Sequence, residues 1–517
     1  MHLTQSLKRA LQINAGGIAT IDGDRQTTWQ AFSERVQKVA GGLLDLGLDQ
    51  RDRVAILSLN SDRYFELIYA LPWASLISVP LNIRLSANEL VFLLNDSGAK
   101  VLCVDETFIP LLAEFKGKLD TVESIVYLGD GEHDGTIAYE QLASEGPSIQ
   151  DTGAGGDDIA GIFYTGGTTG LPKGVMLTHN NLVTNGLNAV HGFGMNKHSR
   201  YLHAAPMFHA ADACANIGLT MLGGTHVFVP KFEPDLVLDI FEKAKVTNVT
   251  LVPTMVNMLV SSPNFHNHDL SSLDRIGYGG SPMPEAVLLT AKELMPYVKF
   301  SQAYGMTELS PIITILDDEY HVTEGPNAGR IRSAGQVVLS GEIRIVDDND
   351  EELPRGEVGE VIARGPTVML GYWNREEETA KALTNGWMHT GDAGYMDEDG
   401  FVFIADRMKD MIISGGENIY SVEVENAVQK HPNVAACAVI GIPHDEWGEE
   451  VMAVVVSDST IEISAADIID HCKSLIAGYK CPRRVEFIDE LPTSGAGKIL
   501  KNKLREPYWE NRSRNVN

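Results

Sequence analysis

A chain of 517 residues is longer than one hydrophobic core holds together, so at least two domains are expected. Its 44% hydrophobic and 21% charged residues suit a globular enzyme, and a net charge of −29 disfavours nucleic acid or an anionic membrane surface as the main partner. Any polyphosphate site must therefore build local positive potential against the field of the whole chain.

Taken in order, the N-terminal MHLTQSLKRALQINAGG has no apolar core of the signal-peptide kind, and no run of 18 apolar residues occurs anywhere. No integral membrane segment is expected, and the protein is read as cytoplasmic or at most peripheral. Phe32, Val36, Val39, Leu43 and Leu46 recur at helical spacing after the capping candidate Thr28. A strand at Arg53–Leu57, a helix over 62–70, a strand at Ile77–Pro80, a capping box at Ser86 and Glu89 and a strand over 101–104 follow. Strands alternating with helices predict βαβ units in a mainly parallel sheet. Further strands are expected over 159–163, 225–229, 248–252 and 275–278, and beyond about residue 335 the texture becomes glycine-punctuated β. The acidic run Asp347, Asp348, Asp350, Glu351, Glu352 lacks calcium-loop spacing and is read as a solvated hairpin turn. After Asp406–Asp410 (DRMKD) the order changes: helix 421–429, strands 435–440 and 451–456, helix 465–475, strand 485–488 and a basic tail helix. The expected fold is thus α/β: a large N-terminal domain, 1–407, of mainly parallel sheets flanked by helices plus a β-rich subdomain, and a small mobile α+β domain, 408–517. Cys103, Cys214, Cys437, Cys472 and Cys481 form no C-x-x-C pair and are read as free thiols.

The most specialised stretch is Tyr164–Gly174, YTGGTTGLPKG. Glycine lets the backbone approach a bulky anion, and the N–H groups and hydroxyls of Thr165, Gly166, Gly167, Thr168 and Thr169, with Lys173, make a donor set suited to a polyphosphate. It is not a Walker loop, because Gly170 leads to Leu171-Pro172-Lys173. In Tyr278–Pro282, YGGSP, a backbone of Gly279, Gly280 and Ser281 can lie flat against a planar base. In Gln302–Glu308, QAYGMTE, Tyr304 beside Gly305 can stack on adenine, Thr307 can donate to an α-phosphate and Glu308 offers a hard oxygen for Mg²⁺. Asp392, in Thr390-Gly391-Asp392, is an acceptor-only carboxylate suited to a ribose diol.

These segments, with DRMKD and Pro492–Lys498 (PTSGAGK), resemble in order and over essentially the whole chain the adenylate-forming superfamily: acyl-CoA synthetases, adenylation domains of peptide synthetases, and luciferases. ISGGENIY at Ile413–Tyr420 is closest to the acyl-CoA ligases. The resemblance implies ATP, Mg²⁺ and coenzyme A as co-substrates and cofactor, and a two-step reaction through an acyl-adenylate. It implies Lys498 as the adenylation lysine, Lys409 as the hinge, Arg407 on the nucleotide, Thr168 and Glu308 at the metal, and Ser414, Gly415 and Gly416 on the thiol's path. His209 matches a residue that gates the acid pocket, which would also include Met207, Ala213, Tyr278, Gly280 and Gly305. The alanines around Asp212 suggest room for a bulky acyl group, Asp212 itself is read as an outward-facing helical residue, and Val252, Pro253, Met255 and Met258 as an apolar wall. Lys480, Arg483 and Arg484 are read as a cluster for the 3′-phosphate of coenzyme A. The expected activity is AMP-forming ligation of a hydrophobic acid, fatty or arylalkanoic, to coenzyme A. Loading of a carrier protein and luciferase-like oxidation are the alternatives, and a homodimer is left open.

Overall fold

A computed structural model describes residues 1–165, 172–281, 283–415, 417–444, 447–457, 463–494 and 499–509. Two large sheets dominate the first two-thirds of the chain. One has nine strands and carries a parallel run made by Lys299–Tyr304, Arg275–Gly279, Asn248–Leu251, Arg200–His203, Thr225–Phe228 and Ile18–Asp22. The other has eight strands, with Ile159–Thr165, Ile77–Pro80, Arg53–Leu57, Ala99–Val104 and Ser124–Tyr127 parallel in that order.

Helices fill the space between these sheets. The largest apolar cluster joins Tyr201 and Phe228 of one sheet to Val54 and Val101 of the other through Trp29, Phe32 and Phe65. Two further clusters cover the outer faces, one around Phe241, Val249 and Phe300 and one around Leu57, Leu93 and Leu102. Sheets covered on both faces explain why their strands read as continuous apolar runs rather than alternating ones.

The local signals act as the sequence suggests. Thr28 caps the helix Trp29–Asp45 by accepting from the Ala31 N–H. Ser86 and Glu89 form the capping box of Ala87–Ser97. The helix from Asp62 runs on to Trp73, past the expected end at 70, despite Pro72 in its last turn, because the buried face continues through Leu71 and Trp73. Around Asp347 the acidic run is a turn: Asp347 accepts from the Asn349 and Glu351 N–H groups, and Asp350 takes φ 63°.

Residues 342–407 form a five-stranded sheet in which Glu342–Val346, Gly359–Arg364, Trp387–Met396 and Val402–Arg407 pair antiparallel. From Ile412 onward the strands belong to a separate five-stranded sheet with its own apolar cluster around Ile412, Val428, Val439, Ala453 and Ile468. Its long pair, Val434–His444 with Gly448–Ser457, outruns the two predicted strands, since both cross the core and continue past it. The five cysteines are free and buried.

Candidate active site

The strand Ile159–Thr165 turns back as Lys173–Thr178, antiparallel, with Thr165 opposite Lys173. Residues 166–171, among them Gly166, Gly167, Thr168 and Thr169, lie outside the described residues. The short strand Gly371–Tyr372 adds to the hairpin's far edge. It brings Tyr372 beneath Lys173, whose Nζ lies 5.1 Å from the ring centroid. The Tyr372 hydroxyl donates to Glu308 Oε1 at 2.9 Å, and Glu308 is buried. The lysine expected at the phosphates and the carboxylate expected at the metal are thus joined through one phenol that no sequence motif announces.

The helix His179–Gly192 follows the hairpin and is capped by a Thr178–Asn181 box. Asn181, Asn185 and Asn188, at spacings of four and three, share one face. Asn181 donates to the Pro366 and Val368 carbonyls, Asn185 to those of Leu309 and Ile312, and Asn188 to Ser340 Oγ. Three stretches of irregular backbone, including the turn that carries Thr307 and Glu308, are hung from this helix. Sequence reading missed the row, although buried-polar spacing on one face was its visible signal.

At the carboxyl ends of two adjacent parallel strands stand Gly279 to Ser281 and Tyr304 with Gly305. That is the edge at which open α/β sheets bind ligands. A Cβ on Gly279 would sit 2.3 Å from the Ala303 carbonyl oxygen, and one on Gly305, at φ 157°, 1.9 Å from that of Pro311. Only glycine fits this close approach. Thr307 opens a short turn to Leu309.

Asp392 faces this edge from the antiparallel sheet, paired in register with Arg407. Its carboxylate accepts from the Tyr304 hydroxyl at 2.6 Å and from Arg407 Nε at 2.7 Å. Burial, then the Asp392 charge, holds the Tyr304 phenol far above its ordinary range. Burial is the largest single influence and opposes the Arg407 charge, but Asp392 together with Tyr304, Glu308 and Asp410 outweighs it and raises the guanidinium. The ring expected to stack on adenine and the carboxylate expected to hold ribose are therefore bonded to each other.

Around the residues expected to line the acid pocket, Asn60 donates to the carbonyls of His203 and Ala205 and accepts from the Met207 N–H. It pins the loop that ends at His209, the residue before the helix Ala210–Leu222. Ala213 is buried on that helix. Asp212 corrects the expectation of an outward carboxylate: it is 2% exposed and bonded to His203 Nδ1 at 2.8 Å. Helical phase turns it inward with Ala213 and Asn216. Tyr278 is wholly buried, its hydroxyl on His321 Nε2 at 2.9 Å, so its side chain belongs to the packing beneath the strand ends. Of the expected apolar wall, Met255 is buried whereas Met258 is 49% exposed on the outer side of its helix.

In the C-terminal sheet, Ser414 pairs with Gly448, and Gly415, at φ 61°, donates to the Trp447 carbonyl. Gly416 and Lys498 lie outside the described residues. The base of the loop that contains Lys498 is closed by a Thr493–Ile499 bridge and a Leu500-to-Pro492 bond, and Arg84 of the N-terminal part donates to the Ser494 carbonyl at 3.0 Å. Lys409 is depressed by burial, and its carbonyl accepts from Arg505. The expected basic cluster does not converge. Lys480 is ion-paired with Glu423, Arg484 lies over Tyr508, and Arg483 stacks 3.5 Å above Trp447 in an open recess of about 560 Å³. Neighbouring carboxylates and rings claim the cations one by one.

A lysine linked to a buried carboxylate through Tyr372 and a second carboxylate at the strand ends, in a chain with a glycine-rich stretch at residues 164–174, suit a nucleotide-dependent acid-activating enzyme. Residues 7–373 match the profile of the AMP-binding enzyme family and residues 423–498 that of the AMP-binding enzyme C-terminal domain. The chain belongs to the AMP-binding enzyme family. It is 40% identical over 502 residues to a feruloyl-CoA synthase of Amycolatopsis sp, covering 97% of this chain and 98% of that one. It is 34% identical over 488 residues to the long-chain-fatty-acid–CoA ligase FadD13 of Mycobacterium tuberculosis, covering 94% of each. Among solved structures it resembles an anthranilate CoA ligase bound to anthranoyl-AMP, with TM-score 0.91, 29% identity, and 98% and 97% of the two chains covered.

Proposed function

We propose that the protein is an AMP-forming acyl-CoA ligase acting on a hydrophobic, aryl-bearing carboxylic acid. The observation that carries this reading is the meeting of the Lys173–Tyr372–Glu308 and Tyr304–Asp392–Arg407 groups around one sheet edge. The relatives add that enzymes of this build are named as CoA ligases, and the most similar of those compared above takes its name from an aryl acid.

In the first step a carboxylate oxygen attacks the α-phosphorus of ATP, and the bond to the pyrophosphate oxygen breaks. Lys173 and the hairpin N–H groups hold the β- and γ-phosphates, and Thr307 donates to the α-phosphate. Asp392 and Arg407 present the polar end of the nucleotide site, while Tyr304 lies beside the base. Lys498 neutralises charge gathering on the acid and α-phosphate oxygens. Among the described residues no three His, Cys, Asp or Glu side chains gather as a metal site, so Mg²⁺ would ride on the nucleotide phosphates with Glu308 as its protein carboxylate, supplying charge neutralisation. In the second step the coenzyme A sulfur attacks the acyl carbonyl and AMP leaves. Ser414 and Gly415 line its path, and Arg483, stacked on Trp447 in the open recess rather than paired with a carboxylate among the described residues, is the member of the cluster placed to meet a coenzyme A phosphate.

The junction between two working units is assigned to Asp406–Asp410, since Arg407 ends a strand of one sheet and Ile412 begins a strand of the next. Rotation there would exchange the Lys498 loop for the Ser414–Gly415 strand. Among the described residues no helix is long and apolar enough to cross a membrane.

Product analysis tests the reading. With ATP, Mg²⁺, coenzyme A and a panel of aryl, medium-chain and long-chain acids, the expected products are AMP, pyrophosphate and an acyl thioester, fastest with an aryl acid. Lys498→Ala should lose adenylate formation by at least ~100-fold, on the scale of removing a charge-stabilising group, while keeping thioester formation from supplied acyl-adenylate. ADP as the product, or equal loss of both half-reactions, would overturn it. Adenylate accumulating beside coenzyme A would point to a carrier-protein acceptor.

A further inference from the structure

The loop from the strand Arg200–His203 to the helix Ala210–Leu222 carries Met207 and His209, and two buried side chains close it end to end. His203, the last strand residue, and Asp212, in the first helical turn, meet across it, with Nδ1 2.9 and 2.8 Å from the two carboxylate oxygens. The chain of bonds continues. His203 Nε2 lies 2.9 Å from Nδ1 of His226 on the adjacent strand, and His226 Nε2 lies 3.1 Å from Thr220 Oγ1. Thr220 is on the same helix as Asp212, about two turns further on. His203, Asp212, His226 and Thr220 are all buried, and Phe228 stacks on His203 at 4.8 Å and 11°.

The roles within this chain follow from chemistry. A carboxylate only accepts, so His203 Nδ1 carries a proton and donates it to Asp212. Burial and the neighbouring His203 hold His226 far below the ordinary imidazole range, so it stays neutral. A buried carboxylate with two imidazoles costs desolvation that apolar side chains of the same volume would avoid. What it adds is direction. The helix presents Ala210, Ala213, Ala215 and Gly218 to its surroundings, and small apolar side chains resist neither sliding nor rotation. A rotation by one residue, about 100°, would carry Ala213 off its face and swing His209 with it.

We propose that His203 and Asp212 are positioning residues for the carboxylic-acid subsite. Their buried bond, extended by His226 and Thr220, sets the rotation of the alanine-rich helix and hence the placement of Met207, His209 and Ala213 against the acid. This rests on the reading of that helix as a wall of the acid site.

The test uses the full chain with ferulate and decanoate as alternative acids, pyrophosphate release as the assay and the pyrophosphate burst to count active sites. Asp212→Ala should raise KM for the better acid roughly tenfold, the size of a lost charged hydrogen bond, and narrow the kcat/KM ratio between the two acids. KM for ATP should stay within about twofold, because the nucleotide groups hang from other elements. Asp212→Asn, which keeps an acceptor for His203 Nδ1, should recover most of the loss. Should Asp212→Ala fail to fold, His226→Phe, which removes only the outer link, should still give an acid-selective KM change of about threefold. Acid and ATP constants moving together, or neither moving while kcat per active site falls, would overturn the proposal. His209→Ala and Ala213→Leu separate the two levels. If they alter acid kinetics while the Asp212 and His226 variants do not, the positioning role fails and the acid site stands. If they too leave acid kinetics unchanged, the placement of the acid site fails with it.

Discussion

His179 and His321 are each buried and each held as a neutral imidazole. The Leu3 N–H donates to His179 Nδ1, and His321 sits between the Asp317 carbonyl on Nδ1 and the Tyr278 hydroxyl on Nε2. Burial is the first cause in both, pushing His179 and His321 down to about 4. The native chain therefore binds fewer protons than the unfolded chain between pH 6.5 and 4. The stability each neutral ring contributes is present above pH 6.5 and lost as pH falls towards 4, up to roughly 3 kcal/mol apiece. Urea unfolding should give a clearly lower midpoint at pH 5 than at pH 7.5. His321→Asn should be less stable than the parent at pH 7.5 and lose less on acidification. Parallel pH profiles for parent and variant would show that His321 is not a source of the acid loss.

At the scale of elements, the helix His179–Gly192 organises the site more than any single motif does. Asn185 closes two buried carbonyls, Leu309 and Ile312, whereas Asn188 reaches only the Ser340 hydroxyl. An unpaired buried carbonyl costs about 1–3 kcal/mol, so Asn185→Ala should cost about 2–4 kcal/mol and Asn188→Ala nearer 1. Asn185 also steadies the turn bearing Thr307 and Glu308, so its variant should raise KM for MgATP while KM for the acid changes little. Thermal melts and initial rates on both variants check this, and equal stability losses with unchanged KM for MgATP would refute it. The same helix shows what the sequence made legible. Its start was readable at Thr178–Asn181 only as chain following a glycine-rich stretch, while caps at Thr28 and Ser86 and the strand Arg53–Leu57 could be read from local pattern. The motif side chains Lys173, Tyr304, Glu308 and Asp392 could be singled out from the sequence because their residue types suit nucleotide chemistry, and the fold brings them to one sheet edge. Tyr372 and Asn60 were not, and the asparagine row showed only its spacing and not its partners, because each acts on backbone or side chains far away in sequence. Asp212 was misread for the same reason: its partner His203 lies nine residues back, across a loop whose closure only the fold reveals.

At the scale of the whole molecule, one polar knot joins the last strand of the antiparallel sheet to the C-terminal helices. Lys501 contacts Glu425 at 2.7 Å and donates to the Ser421 hydroxyl, while Asp406 accepts from the Ser421 N–H. The knot therefore ties the strand Val402–Arg407 to the helices Ser421–Gln429 and Lys501–Trp509, three residues beyond Lys498. Burial raises Asp406 to about 6 despite the Lys501 charge. Its protonated form is thus the one folding favours: that contribution is complete below about pH 3.8 and lost as pH rises through 6. Lys501→Met removes the cation and leaves buried Asp406 and half-buried Glu425 without it, which should cost about 3 kcal/mol at pH 7.5. Without Lys501, Asp406 should rise further, so the variant regains stability on acidification as Asp406 takes up a proton. The gap between parent and variant in urea unfolding should be widest at pH 7.5 and shrink by pH 5.5. Loss of adenylate formation should exceed loss of thioester formation from supplied acyl-adenylate, because the helix that bears Lys501 is also the anchor of the Lys498 loop. A gap of equal size at both pH values would mean that Asp406 and Lys501 are not coupled. Equal loss in the two half-reactions would mean that the knot supports the C-terminal sheet and not the placement of its lysine.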